Sequence, residues 1–187
     1  MIHVIHDYLM VRGGAERLAL TLASGLSAPL ITGFRTRDVT DWGDNAEIHP
    51  LGSVIDGRLM KYLATAARFN NIAPALLSQE ANIYSGVLAP FAAKRQTMGR
   101  RIHYCHSPPR FLYDLKNFYC DQMSFVRRRG MSLFDAWYKP GYEAALRAMD
   151  LVIANSQNVA RRVRNLTRLG SASQLWAIRN PLTAKNM

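Results

Sequence analysis

The run Cys105-His106-Ser107-Pro108-Pro109-Arg110 carries the most suggestive chemistry in the sequence. His106 directly follows a strand-like stretch and precedes Ser107 and a Pro-Pro pair, which fixes φ and stiffens the loop. A histidine held there can donate a hydrogen bond into a cleft or exchange a proton near neutral pH. Arg110, just past the prolines, can meet a phosphate or a carboxylate with two parallel N–H donors. Gly13-Gly14 opens a helical pattern, so backbone amides there can face an anion with the helix dipole behind them. Asn155-Ser156 lies between an apolar run and a second helical pattern, where a hydroxyl can cap the helix. Each feature also has a plainer reading: glycines that only turn the chain, a loop histidine in solvent, an arginine on the surface.

Other chemistries find less support. His103, Cys105 and His106 invite a metal reading, but zinc sites draw on four ligands with two paired spacings and only one such cluster is present. No metal is expected. The glycines form neither G-x-G-x-x-G nor G-x-x-x-x-G-K-[ST], so neither a dinucleotide fingerprint nor a P-loop is present. No nucleophile–base pair and no bracketed pair of carboxylates is legible. His103, inside its strand, reads as structural, and His3, His6 and His49 join no constellation.

The elements that must position these residues follow from periodicity and punctuation. Ile2–His6, Pro29–Phe34, Glu47–Leu51, Asn82–Ser85, Arg101–Cys105, Leu151–Ala154 and Leu175–Ile178 read as strands. Ala15–Leu26 reads as a helix with a broad apolar face, and Val54–Ser78 as helical with an interruption at Pro74. Gly86–Arg95 leads into another helix, and helical segments run on to Met149 with breaks at Gly130 and Pro140-Gly141. A last helix runs from Asn155-Ser156 to about Arg168, and Thr36–Asn45 is polar and turn-rich. Strand, turn, helix, strand in repetition predicts an α/β fold with a Rossmann-like parallel sheet flanked by helices. Ligands in such sheets bind where strand C-termini meet helix N-termini. Four junctions therefore matter: Asp7–Gly14, Ser85-Gly86, Cys105–Arg110 and Asn155-Ser156.

With 187 residues, 49% hydrophobic and 20% charged, the chain has the composition of one compact domain. No apolar run approaches the roughly 18–20 residues of a membrane span. The opening Met1–Asp7 lacks the basic and apolar regions of a signal peptide, so a cytoplasmic protein is expected. Charge is uneven. Residues 1–89 carry seven Lys/Arg against eight Asp/Glu, whereas residues 90–170 carry fifteen against five. A basic half points to nucleic acid, an anionic membrane surface or a phosphate-bearing substrate. Aromatics from Phe111 to Tyr138 surround the Arg127-Arg128-Arg129 cluster, a mixture found on membrane surfaces, on stacking platforms and on helices packed by their aromatic side.

Three motifs in order resemble the N-terminal domain of family 4 retaining glycosyltransferases of the two-Rossmann, GT-B type. They are Gly13-Gly14-Ala15-Glu16-Arg17, the segment from Tyr104 to Asp114, and Asp150-Leu151-Val152-Ile153-Ala154-Asn155-Ser156 continued by Val159–Val163. They span residues 1 to about 166. The resemblance implies one half of a GT-B architecture and transfer of a sugar from a nucleotide-diphosphate sugar to a saccharide or lipid-linked acceptor. It places His106 beside the transferring sugar as the catalytic candidate. Gly13 and Gly14 would face the donor diphosphate, and Ser107, Arg110, Asn155 and Ser156 would shape the acceptor cleft. It implies no cofactor, the nucleotide sugar being a substrate, and a basic half suited to an acceptor at the inner face of an anionic membrane.

The family's donor-gripping E-x7-E pattern is not found after Ser156, and residues 169–187 lose the family's pattern. The expectation is therefore an acceptor-side domain over 1–168 with a divergent, truncated tail over 169–187, inactive alone or completed by a separate donor-binding domain. The alternatives are a non-catalytic basic module on a membrane or nucleic acid, and a small α/β NAD or phosphosugar enzyme. Against nucleic acid, no helix-turn-helix, RRM, KH or zinc-finger signature occurs.

Overall fold

The computed structural model describes residues 1–36, 46–167 and 174–177. The turn-rich reading of residues 37–45 and nearly all of the reading of the 169–187 tail fall outside them. Among the described residues there are seven strands: β1 (Ile2–His6), β2 (Leu30–Thr32), β3 (Ile48–Pro50), β4 (Ala81–Ser85), β5 (Arg100–Cys105), β6 (Leu151–Ala154) and β7 (Gln174–Ala177). The helices are α1 (Gly14–Gly25), α2 (Arg58–Asn70), α3 (Lys116–Asp121), α4 (Phe125–Arg147) and α5 (Gln157–Thr167). All strand pairs are parallel in the order β3-β2-β1-β4-β5-β6-β7. The expected α/β, Rossmann-like sheet flanked by helices is thus the fold. The order reverses between β1 and β4, and that crevice is where open α/β sheets bind their ligands.

Side chains alternate across each strand, and the register aligns them between strands. Ile5, Ile31, Tyr84 and Val152 belong to the larger core cluster, to which α2, α4 and α5 contribute Phe69, Tyr138, Tyr142 and Val163. On the alternate positions Val4 and Leu30 pack with Ala19, Leu20 and Ala23 of α1, while Ile83, Ile102 and Ile153 remain half-buried.

One expectation needs correction. Helix α4 runs unbroken from Phe125 to Arg147, through Gly130 and Pro140-Gly141, where breaks are predicted from sequence. Pro140 removes one intrahelical hydrogen bond, but Phe134, Tyr138, Tyr142, Ala145 and Leu146 bury one stripe on both sides of it, and that burial outweighs the loss. Gly141 lets α4 settle on the segment below, because a Cβ there would lie 2.7 Å from Phe91 Cε1. That segment, Ala89–Arg95, where the sequence reads only as leading into a helix, is itself wound as a 3-10 helix, and its start is tied down by Asp7.

Candidate functional site

In an all-parallel sheet every strand ends at the same edge, so the four junctions singled out in the sequence share it. At the centre of this edge three side chains form a hydrogen-bonded chain. His6 Nδ1 lies 3.1 Å from Ser85 Oγ, and Ser85 Oγ lies 2.9 Å from His106 Nε2. The register explains the meeting. His6 and Ser85 are direct partners across β1 and β4, and Ser85 pairs with Tyr104 on β5. His106 is two residues past Tyr104, so its side chain returns to the same side. The two rings stand edge to face with centroids 6.4 Å apart.

Ser85 has one hydroxyl proton to give. It donates to one ring, and the other ring donates to its oxygen, so the two histidines hold opposite roles at the shared hydroxyl. Burial pushes the His6 imidazole down to about 3, with His106 nearby adding to the shift. Burial also lowers His106. Both rings are therefore neutral at neutral pH. His106 is half-buried and keeps Nδ1 out of the contact with Ser85, whereas Ser85 itself is fully buried. A serine with no exposure and a shared hydroxyl serves as a bridge; it is not placed to attack a substrate.

Asp7 stands one residue past His6 and closes the β1–β4 crevice. Its Oδ1 accepts from the amides of Leu88 and Ala89 at 2.8 and 2.7 Å, and its Oδ2 from Val87 at 2.8 Å. Burial pushes its carboxyl up to about 6 against the pull of those three amides. Gly86 takes φ +111 beside it, and a Cβ there would collide with the Asp7 carboxylate, so the turn needs glycine on both counts.

The remaining candidates are spread along the edge. Gly13 is the N-cap of α1 with extended backbone, and Gly14 is the first helical residue. The Glu16 carboxylate folds back toward them: a Cβ on Gly13 would lie 2.5 Å from Glu16 Oε2. An anion approaching this helix start must therefore displace or outcompete that carboxylate. Ser107 Oγ donates to its neighbour's carbonyl, Pro108 O, at 3.1 Å. Exposed Arg110 donates from Nε to Asp114 Oδ2 at 3.2 Å, and Arg162 reaches the same oxygen at 3.4 Å, so two guanidiniums share one carboxylate. Asn155 is exposed, with its backbone N–H donating to Cys105 O at 3.2 Å. Ser156 Oγ accepts from the Val159 amide at 3.3 Å, which makes it the cap of α5 read from the sequence.

Sequence reasoning missed His6, Ser85 and Asp7. Ser85 and Asp7 lay inside junctions already marked, and His6 is the last residue of β1. The missing information was the strand order, which sets β1 beside β4. His103 is buried, with Nδ1 2.9 Å from Tyr84 O, in keeping with its structural reading. Among the described residues no three His, Cys, Asp or Glu side chains are grouped as a metal site, and no helix is long and apolar enough to cross a membrane. Compared with known proteins, the chain matches no family model and no curated sequence.

Proposed function

We propose that the chain is the acceptor-side domain of a glycosyltransferase that moves a sugar from a nucleotide-diphosphate sugar to a saccharide or lipid-linked acceptor. The observation that carries the reading is the His6–Ser85–His106 chain at the switch-point edge, with half-buried His106 at its outer end. A neutral imidazole oriented by a buried partner can hold a sugar hydroxyl or take up a proton from it without first losing its own. His106 is the residue that touches the sugar; Ser85 and His6 position it. Gly14 offers its amide to the diphosphate once Glu16 swings aside, while Gly13, whose own amide donates to Val11 O at 2.7 Å, lets the diphosphate approach the turn closely; the Arg110–Asp114–Arg162 group adds positive potential along the same edge. The nucleotide is gripped mainly by a further domain, and the basic half keeps the cleft near an anionic membrane surface.

Calorimetric titration with UDP- and GDP-sugars, run beside a transfer assay, tests this. The expected result is binding no tighter than about millimolar, since amides at one helix start make only part of a pocket, and no turnover by the chain alone. Micromolar binding with turnover that vanishes in His106→Ala would instead mean that this domain holds a complete site.

A further inference from the structure

The loop after β1, helix α2 and the α3–α4 hairpin line a half-open cavity of about 1150 Å³. Its wall is mostly apolar and aromatic, with Tyr8 and Met10 following β1, Tyr62 on α2 and Met131 on α4. That volume exceeds the ~300–1,000 Å³ common for small-molecule pockets, and soft methionines adapt to a flexible chain. Two cations also stand in the wall, Lys61 and Arg127. Lys61 is half-buried and its ammonium donates to Met10 Sδ at 3.5 Å, a weak acceptor for a charge. Among the described residues neither Lys61 nor Arg127 has a carboxylate within ion-pair distance, whereas nearby Lys116 and Arg128 have Asp135 and Asp121. Half-buried Lys61 and exposed Arg127, with no carboxylate partner among the described residues, give the apolar cavity a cationic mouth, half of an electrostatic match; the other half is an anion with a hydrocarbon tail.

The rim agrees with this. Val126, Leu133 and Trp137 lie on one stripe of α4 at i, i+7 and i+11, and are 77%, 75% and 46% exposed. Val126 belongs to both the stripe and the cavity wall, so the cavity continues into an exposed apolar surface. Such a surface suits a ligand that arrives from a lipid phase.

We propose that this cavity binds a single-chain lipid phosphate, with the chain among Met10, Tyr62 and Met131 and the phosphate met by Lys61 and Arg127. In its biological role the inference rests on the acceptor-side reading and makes the acceptor lipid-linked; the binding itself does not need that reading.

The test is titration of the purified chain with decyl phosphate, with the uncharged tetraethylene glycol decyl ether, and with inorganic phosphate, each below its micellar range. Decyl phosphate is expected to saturate at one per chain and to bind about tenfold more tightly than the uncharged ether, with no measurable binding of inorganic phosphate. Gly130 lines the cavity, and a Cβ on it meets nothing within 4 Å, so Gly130→Phe can fill the space without a clash in the helix. Gly130→Phe is expected to keep the wild-type circular dichroism and to lose both amphiphiles. The double variant Lys61→Ala/Arg127→Ala is expected to keep the ether and lose the preference for phosphate. Unsaturable binding, or binding unchanged in a folded Gly130→Phe, would overturn the cavity. Equal affinity for the two amphiphiles, or a preference that survives the double variant, would overturn the phosphate site. Inorganic phosphate binding as tightly as decyl phosphate would mean a plain anion site with no role for the chain. None of these failures bears on the sugar-nucleotide titration, which reads the start of α1 and the His106 ring, residues outside the cavity wall.

Discussion

Replacing Asp7 with alanine is expected to cost about 3–5 kcal/mol of stability, the upper end of what single substitutions do. The carboxylate accepts from three consecutive backbone amides, those of Val87, Leu88 and Ala89. Without it, Leu88 and Ala89, both fully buried, lose their acceptor in a place water does not reach. A hydrogen bond to a charged group is worth about 1.5–3 kcal/mol, and an orphaned buried amide costs about 1–3 kcal/mol more than an exposed one. Simple addition would overshoot, because the turn relaxes and removing the buried charge recovers its desolvation cost. Asp7→Asn should lose about half as much: its one remaining oxygen can serve Leu88 and Ala89 while its amide faces the Val87 N–H. Urea unfolding of the two variants measures both values. The loss should extend to the site, because Asp7 fixes the turn that follows Ser85.

The second large effect is a loss of stability in acid. Burial holds His6 down to about 3 and His103 to about 4, both far below an unfolded histidine. Between roughly pH 4 and 6.5 the unfolded chain binds protons at these positions that the folded chain refuses. Stability that is complete above pH 6.5 is therefore lost as the pH falls, by about 1.4 kcal/mol per unit for each ring. Asp7 opposes this over part of the range. Its folded carboxyl is raised to about 6, so the folded chain binds the extra proton there and the Asp7 contribution falls as pH rises through that value. Comparing slopes separates the groups. His103→Gln should flatten the dependence of unfolding free energy on pH by about 1.4 kcal/mol per unit between pH 6.5 and 4, whatever its effect at neutral pH. An unchanged slope would mean that His103 already titrates in the folded chain.

The sequence made the sheet legible because its strands are short apolar runs that stop at small or polar residues. Leu151–Ala154 followed by Asn155-Ser156 gave both β6 and the cap of α5. Helix α4 was less legible. Local rules read Pro140 and Gly141 as punctuation, and only the packing of Tyr138 and Tyr142 on either side shows why the helix continues. The site was half legible for a similar reason. His106 could be marked from its own neighbours, but Ser85 and His6 are 21 and 100 residues away in the chain. They matter only because β1, β4 and β5 lie side by side. Glu16 shows the reverse: it belonged to a quoted motif, yet its side chain crowds the helix start that Gly13 and Gly14 would offer to an anion.

The most direct test of the acceptor-side reading is to record the backbone amide and histidine ring resonances of the chain while UDP-glucose or GDP-mannose is added to millimolar concentration. The reading requires fast-exchange shifts concentrated at Gly13, Gly14 and the His106 ring, the ring resonance being assigned by its absence in His106→Ala. Shifts confined to other surfaces, or none at all with either nucleotide sugar, would contradict it.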